Sequence, residues 1–308
     1  MNGTEIITFL SNNFPTVMTT VSAVVGGLFT AIFMRHNTSM NEFEKIKAGQ
    51  LKEAADELLQ SGKMTYTEYY KANNFLAVAK KADEYYSKMP HQDHFEEYDF
   101  DWFVRFYEAV GNISNEEMQD LWGKILAGEI SHPSSFSLRT IDVLKNMSKA
   151  DAELFEQICK HSVFAEDMYM LPRYDDYLTK AGIKYYDIMR LSELGLIYND
   201  GTISQTVKAS KELSTILTIN NLIITQKSID DNVKEFSIDE YPFTKVGYEI
   251  ATLKNLCANE DEIQDFAREI KKRNPQVEIE VHRILSTEGN TIHFDKINLI
   301  SDAADSAK

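Results

Sequence analysis

Two short stretches of the sequence carry side chains that could do chemistry, and the first is residues 91–101, HQDHFEEYDFD. Its candidate metal ligands are His91, Asp93, His94, Glu96 and Glu97. Imidazole and carboxylate ligands suit zinc or manganese. Their spacing repeats no known site, however, so we interpret the stretch as a solvated acidic loop that ends in a helix cap at Asp99 or Asp101. We predict no metal and no cofactor.

The second stretch places Cys159 two residues before His161, a pair that could serve as nucleophile and base. Positions two apart point to different faces of a helix, which favours two ordinary helix residues. The only other cysteine is Cys257, and two distant cysteines predict neither a disulfide nor a thiolate metal site. Since no GxSxG, Walker, GxGxxG or HExxH motif occurs, we predict that the chain is not an enzyme.

The composition describes a globular protein that buries a core. The 308 residues are 43% hydrophobic and 26% charged, enough for two modest domains. A mean hydropathy of -0.34 excludes a protein with many membrane spans. The 48 acidic residues outnumber the 32 basic ones, which gives a net charge of -16. Phosphate backbones repel such a chain, so nucleic acid is not an expected partner.

Residues 16–34 pass without a charge, a helix of about 28 Å at about 1.5 Å per residue. We predict a transmembrane helix over 16–36, preceded by an interfacial segment over 1–15. Arg35, Lys45 and Lys47 follow the span, so the C-terminal part is expected in the cytoplasm and the protein in the bacterial inner membrane, with lipid as a partner. A signal peptide is disfavoured because no basic residue precedes the span. The core helix of a soluble fold remains an alternative.

Small residues cover one side of the predicted span at four-residue spacing. They are Thr19, Ser22, Ala23, Gly26, Gly27, Thr30 and Ala31. In lipid such residues let helices approach closely, which predicts a helix–helix or pore interface and a homo-oligomer. A plain monomeric anchor would tolerate the same residues and is an equal alternative.

After the span, helix signals dominate as far as residue 165. Thr65 with Glu68, Ser114 with Glu117 and Ser148 with Asp151 are potential capping boxes. They predict a juxtamembrane helical hairpin over 37–90 and a helical domain over 91–165. We expect Gly128 to close one of these helices, with Pro133 keeping the connection from continuing it. Helical spacing turns the aromatic residues of this region towards a core, namely Trp102, Phe103, Phe106, Tyr107 and Trp122.

Beyond residue 165 helices alternate with short strands. The order helix, strand, two further strands and helix over 166–258 is similar to a winged-helix module, here without a basic recognition face. Residues 259–300 predict a helix followed by a strand pair around EGN, and 301–308 a disordered tail. The predicted fold class is therefore mainly α with a small α+β part: a single transmembrane helix, a cytosolic helical domain and a winged-helix-like module.

The run DWFVRFYEAVGNISNEEMQDLWGKILAGEI, with SFSLRTIDVL and SKADAELF after it, resembles the bacterial uncharacterised domain family 2806 over about residues 95–165. Members of this family are often membrane-associated and occur among phage-defence genes. The resemblance therefore implies an antiviral setting. It implies no catalytic residues.

Together these features predict a membrane-anchored anti-phage effector. Its cytosolic part would sense a phage component, most simply a phage protein, and oligomerise, so that the N-terminal helices open a pore in an abortive infection. The alternative is a membrane-tethered, non-lytic sensor or adaptor that uses the winged-helix-like module for protein contacts.

Overall fold

The computed structural model describes residues 48–62, 64–89, 99–165, 168–230, 232–253, 256–289 and 291–300. The chain divides after Asn146 into two compact units, residues 1–146 and 147–308.

The described part of the first unit is helical. Its helices are α1 (Ala48–Gln60), α2 (Tyr66–Tyr86), α3 (Phe100–Val110), α4 (Glu116–Ser131) and α5 (Leu138–Asn146). Thr65 and Glu68 form the predicted capping box of α2, and the Asp99 carboxylate caps α3. The predicted cap of α4 is wrong by one residue, because the Asn115 side chain, not Ser114, accepts from the Met118 amide.

Aromatic side chains fill the core of this unit, as their spacing predicts. Phe75, Phe103, Phe106 and Trp122 are fully buried. Phe75 meets Phe103 edge to face with ring centroids 5.5 Å apart, and Phe106 meets Trp122 in the same way at 5.4 Å. Helices α2 and α4 cross closely, since a Cβ added at Gly123 would lie 2.8 Å from the Lys81 Cβ.

The second unit mixes helices and strands. Its helices are α6 (Lys149–Lys160), α7 (Asp175–Lys180), α8 (Tyr185–Glu193), α9 (Lys245–Thr252) and α10 (Glu260–Arg273). Its strands are β1 (Val163–Ala165), β2 (Met168–Pro172), β3 (Ser204–Lys208), β4 (Ser214–Ile219), β5 (Leu222–Ser228), β6 (Glu235–Pro242), β7 (Val277–Glu288) and β8 (Thr291–Phe294). The Ser148–Asp151 capping box of α6 and the β7–β8 hairpin are confirmed.

The strands form two four-stranded antiparallel sheets, in the orders β1-β2-β6-β3 and β4-β5-β7-β8. Residues Ile238 of the first sheet and Ile279 of the second are fully buried in one apolar cluster, to which α10 contributes Phe266 and Ile270. The hairpin β4–β5 lies in sequence between β3 and β6, and it belongs to the other sheet. An isolated pairing of Ile197 with Phe243 continues the first sheet past the end of β6.

The predicted fold class is wrong. The structure is mixed α and β with two full sheets, not mainly α with a small α+β part. Strands β1 and β2 were missed because apolar runs of three to five residues cannot be told from helix by periodicity. The predicted terminal strand pair does not stand alone either. Its first strand, β7, pairs with β5 from Val277 to Arg283 and so joins the pair to the second sheet.

The predicted single-pass, inner-membrane localisation is corrected as well. Within the described residues, no helix combines the length and the apolar character needed to cross a membrane. The longest of them, α2, carries six charged residues: Glu68, Lys71, Lys80, Lys81, Asp83 and Glu84. The predicted span over 16–36 lies outside the described residues, as do the segments 1–15 and 301–308.

Candidate functional site

The residues predicted for the pore interface and for membrane orientation lie outside the described part of the chain. They are Thr19, Ser22, Ala23, Gly26, Gly27, Thr30, Ala31, Arg35, Lys45 and Lys47. The candidate ligands His91 to Glu97 lie outside it too. Elsewhere, no three histidine, cysteine, aspartate or glutamate side chains of the described residues gather into a group that could hold a metal ion.

Cys159 and His161 lie at the C-terminal end of α6. Cys159 is buried on α6, and His161 follows the helix as its C-cap. The Nδ1 atom of His161 contacts a carboxylate oxygen of Glu262 in the first turn of α10. Cys159 therefore packs inside the second unit, and His161 both caps α6 and contacts α10.

A group of exposed aromatic and apolar side chains on α8 is the strongest candidate for a functional surface. Tyr185, Tyr186 and Met189 are 64%, 72% and 39% exposed, and we call these three residues the aromatic surface. The two tyrosines are consecutive and Met189 lies one helical turn further on, whereas Ile188 and Leu191 on the opposite side are fully buried. Tyrosine and methionine are enriched at protein–protein contacts.

Local sequence explains why α8 begins and ends where it does. Gly182, with φ +70°, makes the turn from α7, and the Lys184 amide donates to the Asp187 carboxylate at 2.8 Å. At the other end Gly195 takes φ +75°, a conformation that suits glycine after a helix. Leu196 then donates its amide to the Leu191 carbonyl at 2.9 Å.

The end of α8 is held by α9 through a close backbone approach. The Thr244 hydroxyl, which also caps α9, donates to the Gly195 carbonyl at 2.6 Å. A Cβ added at Gly247 would lie 2.0 Å from the Leu196 carbonyl oxygen, so only glycine fits there. These contacts fix the position of α8 in the second unit.

The single arginine of α8 is neutralised within the fold. Arg190 donates from Nε to Asp151 Oδ1 at 2.6 Å, and its Nη2 reaches the same oxygen at 2.6 Å. The Ser148 hydroxyl and the Arg190 guanidinium hold the pKa of Asp151 below its ordinary value of 3.8. A helix whose arginine is committed in this way offers little attraction to a phosphate backbone.

Arg173, at the junction of β2 and α7, fixes the start of the segment that leads to α8. Its guanidinium donates to the Ile203 carbonyl at 2.8 Å, lies 3.4 Å from Asp239 Oδ1, and stacks 5.7 Å from the centre of the Tyr241 ring. Burial raises the pKa of the Tyr241 phenol, Arg173 opposes this rise, and Tyr185 and Asp175 add to it.

Two buried oxygen acceptors lie on one face of the first sheet. Glu240 on β6 is 4% exposed, and neither its Oε2 nor the Gln205 Oε1 on β3 meets a donor among the described residues. Gln205 pairs with Ile238, which puts it diagonally across from Glu240. Burial raises the pKa of Glu240, with Arg173 opposing the shift.

The residues that carry the family resemblance have structural roles. Glu129 of α4 is 3% exposed and accepts from the Ser134 amide at 2.7 Å and the Phe136 amide at 3.0 Å. Trp102 donates from Nε1 to the Phe136 carbonyl at 2.7 Å. Gly128 does not end α4 as predicted. It lies inside the helix, which continues to Ser131. Glycine is required there because a Cβ would come 2.8 Å from the Phe136 ring.

Sequence reasoning missed the aromatic surface, although one signal was present. If Ile188 and Leu191 face the core, Tyr185 and Tyr186 must face away from it, and two exposed tyrosines in succession are unusual for a helix without a partner. The aromatic surface presents two phenol rings and a flexible thioether on a rigid helix, which suits contact with another protein.

Comparison with protein families gives one match. The family described as "Protein of unknown function (DUF2806)" matches residues 61–267. No curated protein and no solved structure matches the chain.

Proposed function

We propose that this chain, a member of the DUF2806 family, is a protein-binding adaptor that contacts its partner through the aromatic surface of α8. The exposure of Tyr185, Tyr186 and Met189 on one rigid helix is the observation that carries the proposal. Surface patches of this kind are costly to leave in water and mark interaction sites. Tyrosine also gives a large contact area with only two rotatable side-chain bonds, so ordering it on binding costs little entropy.

The position of α8 supports the same function. Contacts with Thr244 and Gly247 hold the end of α8, so the exposed side chains stand on a helix that is fixed in place. Its Arg190 is committed to Asp151, and Asp187 and Glu193 add negative charge to the helix. These features favour a protein partner over nucleic acid.

The predicted pore-forming effector depends on residues that the structure does not describe, and it stays a prediction. The antiviral setting that the family resemblance implies stays a prediction. It makes a phage protein one partner worth testing. Homo-oligomerisation on activation likewise stays a prediction.

Site-specific crosslinking tests the proposal. The full chain would be expressed in its host cell with a benzophenone amino acid in place of Tyr186, and a matched chain would carry it at Glu212, which is exposed beyond the far end of β3. We expect a protein adduct at position 186 and none at 212. The captured protein, once purified, would then be titrated against the unmodified chain.

A double variant decides whether the surface provides the affinity. Tyr185→Ser with Tyr186→Ser should weaken binding of the purified partner by about thirtyfold or more, since anchor tyrosines commonly contribute about 2 kcal/mol. An adduct yield at 186 no higher than at 212, or full affinity in the double variant, would overturn the proposal.

A further inference from the structure

Strand β3 lies at one edge of the first sheet, whose order is β1-β2-β6-β3. Among the described residues β6 alone pairs with it, from Ser204 opposite Asp239 to Lys208 opposite Glu235. Successive residues of an antiparallel strand point their backbone amide and carbonyl groups alternately towards one side and the other. Every second residue of β3 therefore turns these groups towards the open side of the sheet.

Hydrogen bonds made by β6 identify the residues that face the open side. The Asp239 carbonyl accepts from the Arg173 amide at 3.0 Å, and the Ser237 carbonyl accepts at 3.1 Å from the C-cap side chain of α10. Both carbonyls thus point away from β3. Because Ser204 and Thr206 pair with these two residues, their own backbone groups point away from β6.

The backbone groups on this side have no partner along most of the strand. No hydrogen bond within the described part of the chain reaches the amides or carbonyls of Ser204 and Thr206. The Lys208 amide faces the same way, whereas the Lys208 carbonyl accepts from Gln226 Nε2 at 3.1 Å. Beyond it the chain turns to the second sheet, since an amide of β5 donates to the Ser210 carbonyl at 2.7 Å. We call residues 204–208 the open edge.

The side chains at the open edge add an apolar margin and a charge. Val207 packs against the core of the second unit together with Ala209 and Val233, and all three are only partly buried. The alternate residues of β3 are exposed. Lys208 forms no ion pair with the described residues, although Glu235 lies opposite it on β6.

We propose that the open edge binds an extended segment of another protein as an added antiparallel strand, with a carboxylate facing Lys208 and a β-branched apolar side chain facing Val207. Main-chain hydrogen bonds supply affinity in such complexes, and alternate side chains supply specificity. The apolar side chain covers the half-open margin of the core. Lysine on an edge strand also discourages pairing with strands that bring no negative charge.

A second copy of this chain fits the open edge less well. Antiparallel pairing of two β3 strands around Thr206 would place Ser204 opposite Lys208 and Gln205 opposite Val207, so that the ammonium and the apolar margin both lack a complement. The open edge shares no residue with the aromatic surface. This inference therefore goes beyond the proposed function and does not rest on it.

The probe is a capped peptide, glutamate-valine-threonine-valine-threonine, titrated into the full chain at near-physiological salt. Read from its N-terminus, its residues face positions 208 to 204 of the open edge. A matched peptide carries lysine in place of glutamate. We expect the glutamate peptide to bind about threefold more tightly, because it pairs with Lys208. The net charge of -16 would by itself favour the lysine peptide.

Amide hydrogen exchange measured by NMR tests the register. Peptide at ten times its Kd should slow exchange at Ser204, Thr206 and Lys208 by about tenfold. The amides of Gln205 and Val207 already face β6 and should not change. Methylating the amide nitrogen of the central threonine of the peptide should abolish this protection, whereas methylating that of the first valine, which points away from β3, should preserve it.

Variants of the chain test the same contacts. Thr206→Pro removes an amide that points to the open side, a position where an edge strand tolerates proline, and should abolish peptide binding. Lys208→Glu should reverse the preference between the two peptides. Lys145→Glu makes the same charge change at an exposed position of α5 and should leave the preference for glutamate unchanged.

A lysine peptide that binds as tightly as the glutamate peptide, equal effects of the two methylated peptides, or unchanged exchange at Thr206 would overturn the proposal. Slower exchange of the same amides when the chain alone is concentrated would identify a second copy as the added strand and would overturn it too. Thr206→Pro should leave the adduct at position 186 unchanged. Failure at the open edge is therefore distinguishable from failure of the proposed function.

Discussion

Arg190 and Asp151, which lie 39 residues apart in the chain, join α8 to α6, with Arg190 Nε 2.6 Å from Asp151 Oδ1. The other oxygen of that carboxylate, Oδ2, closes the capping box by accepting from the Ser148 amide at 3.0 Å. One side chain therefore both starts α6 and holds α8 against it. The position of the aromatic surface depends on this shared carboxylate.

Replacing that carboxylate should reduce stability, and the effect should depend on pH. Asp151→Asn should lower the free energy of unfolding at pH 7 by about 1–3 kcal/mol, because the charged partner and one cap bond are lost. The folded pKa of Asp151 lies below 3.8, so its contribution is complete above that value and is lost as the pH falls through the folded pKa. The difference in the free energy of unfolding between wild type and Asp151→Asn, measured by urea unfolding, should therefore shrink below about pH 4.

The matched control is Glu153→Gln, an exposed residue of the same helix whose contact with Lys149 is 3.9 Å long. It should change stability by less than about 0.5 kcal/mol. A gap between Asp151→Asn and wild type that stays constant from pH 7 to pH 3 would contradict the role of the charged carboxylate.

The contact of Gly247 with the end of α8 gives a second prediction. Gly247→Ala places a Cβ 2.0 Å from the Leu196 carbonyl oxygen, so backbone must move and stability should fall by about 1–3 kcal/mol. Gly201→Ala is the control, because nothing lies within 4 Å of a Cβ added there. It should be neutral or raise stability by up to about 1 kcal/mol. Thermal unfolding of both variants measures the difference, and equal melting temperatures would refute the close approach.

Features encoded within one turn of helix were predictable from the sequence. Thr65 with Glu68 and Ser148 with Asp151 cap as predicted, since both partners lie three residues apart. Gly128 was misread because a glycine required by a neighbouring ring, here that of Phe136, has the same sequence signal as one that ends a helix. The candidate site was missed for the same physical reason. Which tyrosines stay exposed depends on packing between elements far apart in the chain.

The Glu129 carboxylate in the first unit gives a third prediction. Glu129→Gln leaves one acceptor for two amides, those of Ser134 and Phe136, and should cost about 1–3 kcal/mol of stability. Hydrogen exchange at the Phe136 amide should accelerate as well, because that amide loses its acceptor. Glu117→Gln in the exposed first turn of the same helix should change neither quantity appreciably. Unchanged exchange at Phe136 in Glu129→Gln would show that other contacts hold the loop.

The aromatic surface should matter little for folding, unlike the buried side of the same helix. Tyr185→Ser with Tyr186→Ser should shift the free energy of unfolding by less than about 0.5 kcal/mol per site, since both side chains are mostly exposed. Ile188→Ala removes a fully buried side chain and should cost about 2–5 kcal/mol. Urea unfolding of the two variants gives both values. A large loss in the tyrosine variant would mean that the rings serve the fold rather than a partner.

The buried carboxylate of Glu240 should oppose folding at neutral pH. Burial raises its pKa from the ordinary value of 4.5. The protonated carboxyl group therefore favours folding, and folding becomes less favourable as the pH rises above 4.5 and the group ionises. Glu240→Gln removes this penalty and adds amide donors near the Gln205 Oε1, which meets no donor among the described residues. We expect the variant to be more stable than wild type at pH 7 by about 1–3 kcal/mol and nearly equal to it at pH 4. Urea unfolding at the two pH values measures this. A variant less stable than wild type at pH 7 would show that the ionised carboxylate is compensated in the fold.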